Sequence, residues 1–219
     1  MIFQIENILR DVRVALDQNV VSRQLIATDD IDTLSLDELI ESKIIDAVKL
    51  VEMQVPTHML DSGHNFGDAV YWGDMKHGWT ILPDDFMRLV VFKMSDWERS
   101  LYYAISETAP EYEQQSSRFA GIRGTVQKPV CAIVSRPQGK VLEFWSCKSE
   151  EAKVGQAVYV PLPRIDENGG VEICERCYRA VVYYAGALTA QALGGDNAGQ
   201  GLLEIAKGLM EEQRKEREQ

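Results

Sequence analysis

The chain has little of what marks a disulfide framework or a membrane anchor. It contains four cysteines and three histidines among 219 residues. Its longest weakly polar stretch, residues 180–193, has 14 residues, fewer than the roughly 20 that a bilayer-spanning helix needs. The N-terminal residues lack the basic and apolar segments of a signal peptide, so we expect reduced thiols in a soluble chain that is intracellular when synthesised.

The sequence also lacks the motifs that carry nucleophilic or phosphate chemistry. No GxSxG elbow occurs, and the glycine-rich segments 121–124 and 194–199 have neither a βαβ setting nor the lysine of a phosphate loop. His58, His64 and His77 are separated by intervals that match no helix or strand face, so we expect surface histidines in loops. The sequence therefore predicts a protein without enzymatic activity, and no catalytic, cofactor-binding or metal-binding residue is predicted.

The CxxC pair Cys174 and Cys177 is the one motif with a chemical alternative. A structural zinc site needs four ligands, usually in two close pairs, whereas Cys131 and Cys147 lie singly in strand-like runs. Free cysteines are among the most buried residues and behave as small apolar side chains. The pattern favours packing in a core, and the alternative is a zinc-binding protein centred on this pair.

A thiol-redox role for the same pair is the second form of that alternative. Arg176 and a helix N-terminus would favour the thiolate, whereas Glu172 and Glu175 oppose it. No βαβ pattern surrounds Cys174 and Cys177, as a thioredoxin-like motif would require. A redox function is therefore less favoured than packing.

Hydrophobic spacing predicts helices at both ends of the chain. Apolar residues recur every three to four positions over 2–18 and again after a capping box formed by Ser35 and Glu38, until Pro56. The helical period returns from residue 171, ends at the glycines 194–195 and resumes near Asn197. Between these ends the chain has short β-rich runs, which are HGWTILP (77–83), LVVFKM (89–94), KPVCAIV (128–134), VLEFW (141–145) and AVYVPLP (157–163). Residues 136–139, RPQG, predict a hairpin turn between two of these runs. The imperfect alternation of VLEFW and the two residues after it predicts a strand that is buried partly on both faces.

This order predicts an α+β protein. The expected architecture is a helical bundle made from N-terminal and C-terminal helices, with a β-rich domain like a small sandwich or barrel inserted between them. The predicted parts are residues 1–70 (helical), 71–170 (β-rich) and 171–219 (helical). Both ends of the chain would then share one core.

Charge is distributed unevenly along the chain. Residues 1–70 contain five Lys/Arg and thirteen Asp/Glu, a net charge of −8, whereas residues 118–148 contain six basic residues and only Glu143, a net charge of +5. Such asymmetry favours oriented association with partners. The basic region, with Phe119, Phe144 and Trp145, also allows a nucleic-acid-binding accessory role, but the total net charge of −11 opposes it.

The order of several segments resembles the head-to-tail adaptor, or ring, proteins of short-tailed bacteriophages, in particular those of crAss-like phages. The resemblance extends over nearly the whole chain, and it lies in segments of secondary structure, not in a catalytic motif. They are LDELIESKIIDAVKLVE (36–52), LPDDFMRLVVFKMSDW (82–97), YEQQSSRFAGIRGTVQKPVCAIV (112–134), LEFWSC (142–147) and CYRAVVYYAGALTAQALG (177–194).

The resemblance implies a structural virion protein. Copies would form a ring, expected to contain twelve, that contacts the portal protein and other tail or ring proteins. Double-stranded DNA would pass through its lumen without sequence-specific contacts, and no cofactor or membrane would be involved. The protein would lie at the head-tail junction of the virion and in the host cytoplasm during assembly.

Overall fold

The computed structural model describes residues 1–16, 35–60, 63–115, 117, 119 and 122–215. The predictions for Arg118, for Gly121 and for the end of the first helix at 17–18 lie outside these residues. The fold is mixed α and β, as predicted. Five helices occur in the described part, namely α1 (Ile5–Ala15), α2 (Leu36–Gln54), α3 (Pro110–Gln115), α4 (Tyr178–Ala192) and α5 (Asp196–Lys215).

Ten strands form three sheets within the same described residues. The strands are β1 (Ile2–Gln4), β2 (His64–Asn65), β3 (Tyr71–Trp72), β4 (Gly78–Ile81), β5 (Phe86–Met94), β6 (Ile105–Ser106), β7 (Cys131–Arg136), β8 (Gly139–Phe144), β9 (Val154–Pro161) and β10 (Gly170–Glu172). One sheet pairs β1 with β10, a second has the order β2-β9-β5, and a third has the order β3-β4-β8-β7-β6.

The chain divides into two compact units. The helical unit comprises Met1–Asp61 and Pro163–Gln219, and the β unit comprises Ser62–Leu162. The domain boundaries at residues 70 and 170 that the sequence suggested remain a prediction. Within the described residues, no helix combines the length and the apolar character needed to cross a membrane.

In the helical unit, α4 packs against α1, α2 and α5. The small residue Gly186 of α4 allows close packing, because a Cβ at this position would lie 3.4 Å from Leu202 of α5 and 3.9 Å from Val12 of α1. The helix ends as predicted, where Gly194 adopts a φ of +76° and the amide of Gly195 donates to the carbonyl of Ala190 at 2.8 Å. The capping box of Ser35 and Glu38 is also confirmed.

Two helix boundaries predicted from the sequence are wrong. Residues 2–4 form strand β1 instead of helix, and the return helix begins at Tyr178 instead of residue 171. The reason is long-range pairing, since Ile2–Gln4 aligns antiparallel with Gly170–Glu172. Phe3 then stacks on Tyr178, with ring centroids 4.3 Å apart, which anchors the strand beside the first turn of α4.

In the β unit, strand β8 lies between β4 and β7 and separates two groups of buried side chains. Leu142 and Phe144 belong to the larger core, whereas Val141 packs with Ala132 and Val134 on the other side. The prediction that this strand is buried on both faces is therefore confirmed. The predicted turn at 136–139 is also confirmed, since it joins β7 to β8 with Gly139 at a φ of +116°.

Candidate functional site

Cys174 and Cys177 lie in a 3₁₀ turn just before α4, with both side chains buried. The amide of Cys177 donates to the carbonyl of Cys174 at 2.8 Å. Cys174 is 9% exposed and Cys177 is 0% exposed. None of the four cysteines, Cys131, Cys147, Cys174 and Cys177, forms a disulfide. The prediction of a helical position is wrong, but the pair does lie in the core of the helical unit.

A buried carboxylate, which the sequence did not single out, holds this turn in place. Glu52, in the last turn of α2, is 3% exposed and accepts a hydrogen bond from the amide of Cys174 at 2.9 Å. Burial raises the pKa of Glu52, the hydrogen bonds from Cys174 oppose that shift, and the nearby carboxylate of Glu172 adds to it. The side chain therefore acts as a cap supplied by one helix to the turn that precedes another.

The other two cysteines belong to the β unit. Burial raises the pKa of both the Cys131 and the Cys147 thiol, the latter to about 12, and the carboxylate of Asp96 adds to the shift at Cys147. Among the described residues, no group of three or more His, Cys, Asp or Glu side chains could hold a metal ion. Thiolate chemistry at Cys131 and Cys147 is thus strongly disfavoured.

Replacing Glu52 separates its charge from its hydrogen bond. The raised pKa means that the free energy of unfolding falls as pH rises from the usual carboxyl range through the folded pKa. Glu52→Gln retains an acceptor, so we expect its stability relative to wild type to increase with pH across that window. Glu52→Ala leaves the amide of Cys174 without this acceptor and should cost about 1–3 kcal/mol. Helical circular dichroism during urea unfolding measures both, and equal pH profiles for wild type and Glu52→Gln would contradict the assignment.

A cluster of polar side chains in the β unit surrounds Glu143, near the end of β8. This side chain is 2% exposed and lies against the smaller group of buried residues. The hydroxyl of Tyr112, on α3, donates to its Oε2 at 2.8 Å, and the guanidinium of Arg136, at the end of β7, donates to its Oε1. Nε2 of His77 lies 3.3 Å from the same Oε1.

Aromatic rings enclose this carboxylate. His77 stacks on Trp145 with centroids 4.2 Å apart and planes 8° apart, and it also contacts the ring of Trp79 at 5.3 Å. The guanidinium carbon of Arg136 lies 4.2 Å from the centroid of the Trp79 ring. His77 therefore covers one face of the Trp145 ring, and Arg136 covers one face of the Trp79 ring.

The electrostatics of the cluster favour a permanent anion. Burial alone would raise the pKa of Glu143, but His77, Tyr112 and Arg136 outweigh it and lower the pKa to about 2. Burial and the hydrogen bond to Glu143 raise the pKa of Tyr112 to about 12. A carboxylate this acidic is a poor general base, and a tyrosine this basic is a poor acid at neutral pH. The arrangement is therefore suited to joining α3 to the sheet rather than to proton transfer.

Sequence reasoning missed this cluster because its members come from separate parts of the chain. His77, Tyr112, Arg136 and Glu143 share no motif, and only the fold brings them together. One signal was present, because Glu143 is the single acidic residue within the apolar run VLEFW. An acid at a buried position needs partners, so its presence predicts nearby donors.

The three histidines occupy different environments. His64 is exposed, as predicted, but it lies in strand β2 instead of a loop. The surface prediction is wrong for His77, whose side chain is 17% exposed, and Nε2 of His58 is also buried. Of the aromatics noted in the basic region, Phe144 is fully buried whereas Phe119 is 73% exposed.

Comparison with protein families and curated sequences gives no relative on which to base a function. The chain matches no protein-family profile and no curated protein sequence.

Proposed function

We propose that this chain is a structural subunit of an oligomeric ring at the head-tail junction of a short-tailed bacteriophage. Twelve copies link the portal protein to the tail, and double-stranded DNA passes through the lumen. The subunit is not an enzyme, and it works in the virion after assembly in the host cytoplasm. The starting point is the segment resemblance, and the surface of the molecule supplies independent support.

The observation that carries the proposal is the exposure of large apolar side chains on both units. Each unit has its own buried core, yet Met53 and Ile205 of the helical unit are 48% and 46% exposed, and Tyr103 of the β unit is 71% exposed. Exposed apolar groups are common singly, but a set on two separate units favours a protein with several partners. A ring subunit needs neighbours on two sides and further contacts above and below.

The helix contacts within the helical unit support the proposed architecture. Helices α1 and α2, from the N-terminal part of the chain, pack on α4. Helix α4 also packs on α5, the last helix of the described residues. We infer a bundle of terminal helices with the β unit inserted between its halves, which is the finer arrangement expected of the adaptor proteins. In such a subunit the two units are free to serve different interfaces.

The test is assembly with a portal ring from a short-tailed phage whose adaptor shares these segments. Negative-stain microscopy should show a second ring of about a dozen subunits below the portal when the two proteins are mixed. A matched reaction without portal shows whether the chain closes a ring by itself. A chain that neither forms rings nor binds the portal under any of these conditions contradicts the proposal.

A further inference from the structure

The CxxC turn before α4 has a geometry that the proposed function does not use. The amide of Cys177 donates to the carbonyl of Cys174 at 2.8 Å, so residues 174–177 form a turn that is closed between its first and fourth residues. The Cα atoms at the two ends of such a turn lie within about 7 Å of each other. A disulfide joins residues whose Cα atoms are about 4.4–6.8 Å apart, so this backbone is compatible with a disulfide between the ends of the turn.

The two cysteines of this turn differ in their access to a solute. Cys174 is 9% exposed, whereas Cys177 is 0% exposed. Both precede the N-terminus of α4, which begins at Tyr178, and the partial positive charge of a helix N-terminus stabilises a nearby thiolate. A reaction with a small solute therefore begins at Cys174, and Cys177 is placed to complete it.

The buried carboxylate of Glu52 interacts with the reduced form of this pair. It accepts hydrogen bonds from both the amide and the thiol of Cys174. The bond from the amide does not depend on the sulfur, whereas the thiol donates only while it carries its proton. Because Glu52 is 3% exposed, water replaces a lost donor poorly. The hydrogen bond from the thiol therefore stabilises the reduced form relative to a disulfide.

We propose that Cys174 and Cys177 are a redox-sensitive pair that closes to an intramolecular disulfide in the folded chain, and that Glu52 opposes this closure. The oxidant is a small disulfide such as oxidised glutathione. The thiolate of Cys174 attacks one of its sulfur atoms, which forms a mixed disulfide and releases one glutathione thiolate. The thiolate of Cys177 then attacks the sulfur of Cys174 and releases the second. The two released thiolates take up the two protons that the cysteines lose, so two protein thiols are oxidised and one glutathione disulfide is reduced.

The test equilibrates the folded full chain with mixtures of reduced and oxidised glutathione. Remaining thiols are then alkylated and located by peptide mass spectrometry. As the oxidised share of the buffer rises, the peptide that contains Cys174 and Cys177 should lose two hydrogen atoms and stop reacting with the alkylating reagent. Cys131 and Cys147 are an internal control, because burial raises the pKa of both thiols and they should stay reduced.

Variants of the full chain test the order of attack and the effect of Glu52. Cys177→Ser should stop at a glutathione adduct on Cys174, whereas Cys174→Ser should leave the fully buried Cys177 unmodified. Glu52→Ala removes the acceptor of the thiol, so the equilibrium should shift towards the disulfide by about fivefold. Glu52→Gln retains an acceptor and should shift it less. Glu41→Ala, which removes an exposed carboxylate of the same helix, is the matched control and should leave the equilibrium unchanged.

The contrary results can be told apart. If Cys174 and Cys177 of the folded wild-type chain stay reduced in an excess of oxidised glutathione, the proposal is overturned, and a disulfide that forms only in urea has the same meaning. Equal oxidation of Cys131 and Cys147 also overturns it, because that result reports general unfolding. An equilibrium that is the same in wild type and Glu52→Ala contradicts the role of Glu52. The inference does not depend on the proposed ring, so failure to bind the portal and failure to form this disulfide are separate outcomes.

Discussion

Glu143→Ala is expected to lower the free energy of unfolding of the β unit by about 3–5 kcal/mol. The carboxylate is 2% exposed and meets Tyr112, Arg136 and His77. Its removal leaves a guanidinium and a hydroxyl without their acceptor and opens a cavity beneath α3. Breaking one partner of a buried ion pair costs far more than the pair itself contributes, because the remaining charge stays desolvated.

Tryptophan fluorescence during urea unfolding measures this effect selectively. All four tryptophans of the chain, at positions 72, 79, 97 and 145, belong to the β unit, so the signal reports that unit alone. Glu150→Ala removes an exposed carboxylate of the same unit and is the matched control, with an expected change within about 0.5 kcal/mol. A loss at Glu143 no larger than the loss at Glu150 would show that the cluster is not a stabilising element.

The pH dependence gives the cluster a second signature. The pKa of Glu143 is about 2 in the folded chain and near 4.5 ordinarily, so its contribution is present above about pH 4.5 and is lost as pH falls towards 2. Glu143→Gln cannot titrate, so the difference in stability between it and wild type should shrink over that range. A difference that stays constant with pH would mean that the carboxylate's charge plays no part.

Phe92→Ala is expected to cost the β unit about 3–5 kcal/mol. Phe92 is fully buried in β5, and its ring lies 5.9 Å from that of Phe66, 5.5 Å from that of Trp97 and 5.6 Å from that of Phe144, centroid to centroid. Truncation removes contacts to three rings at once and leaves a cavity that rigid aromatic neighbours fill poorly.

Tryptophan fluorescence during urea unfolding can also compare a small and a large truncation at position 92. Phe92→Leu keeps most of the volume and should cost less than half as much as Phe92→Ala. Tyr103→Ala, which truncates an aromatic side chain that is 71% exposed, should change stability by no more than about 0.5 kcal/mol. Comparable losses at positions 92 and 103 would mean that Phe92 does not lie in the centre of the core.

Local patterns predicted much of the secondary structure. The capping box at Ser35, the turn closed by Gly139 and the end of α4 at Gly194 each depend on a few neighbouring residues, and all three occur as predicted. The apolar runs of the middle region became strands for a similar reason, because their spacing and turn residues are local signals. Structures that depend on interactions between a few neighbouring residues can therefore be predicted from the sequence.

The errors arose where distant segments meet. Periodicity assigned residues 2–4 and 171–177 to helices, but their mutual backbone pairing and the cap from Glu52 made a strand and a 3₁₀ turn. His77 was expected on the surface because no local spacing tied it to a partner. Its neighbour Glu143 lies on the next strand of the sheet, a relation that depends on strand order.

The sequence alone determined the mixed α+β class, the helix ends set by caps and glycines, and the burial of Cys174 and Cys177. Only the tertiary structure decided that the CxxC pair lies in a turn capped by Glu52, and that Glu143 has a hydroxyl and a guanidinium as partners. The physical reason is the range of the forces involved. Capping and periodicity act within one or two turns of chain, whereas a buried charge is satisfied by whichever donors the whole fold brings to it.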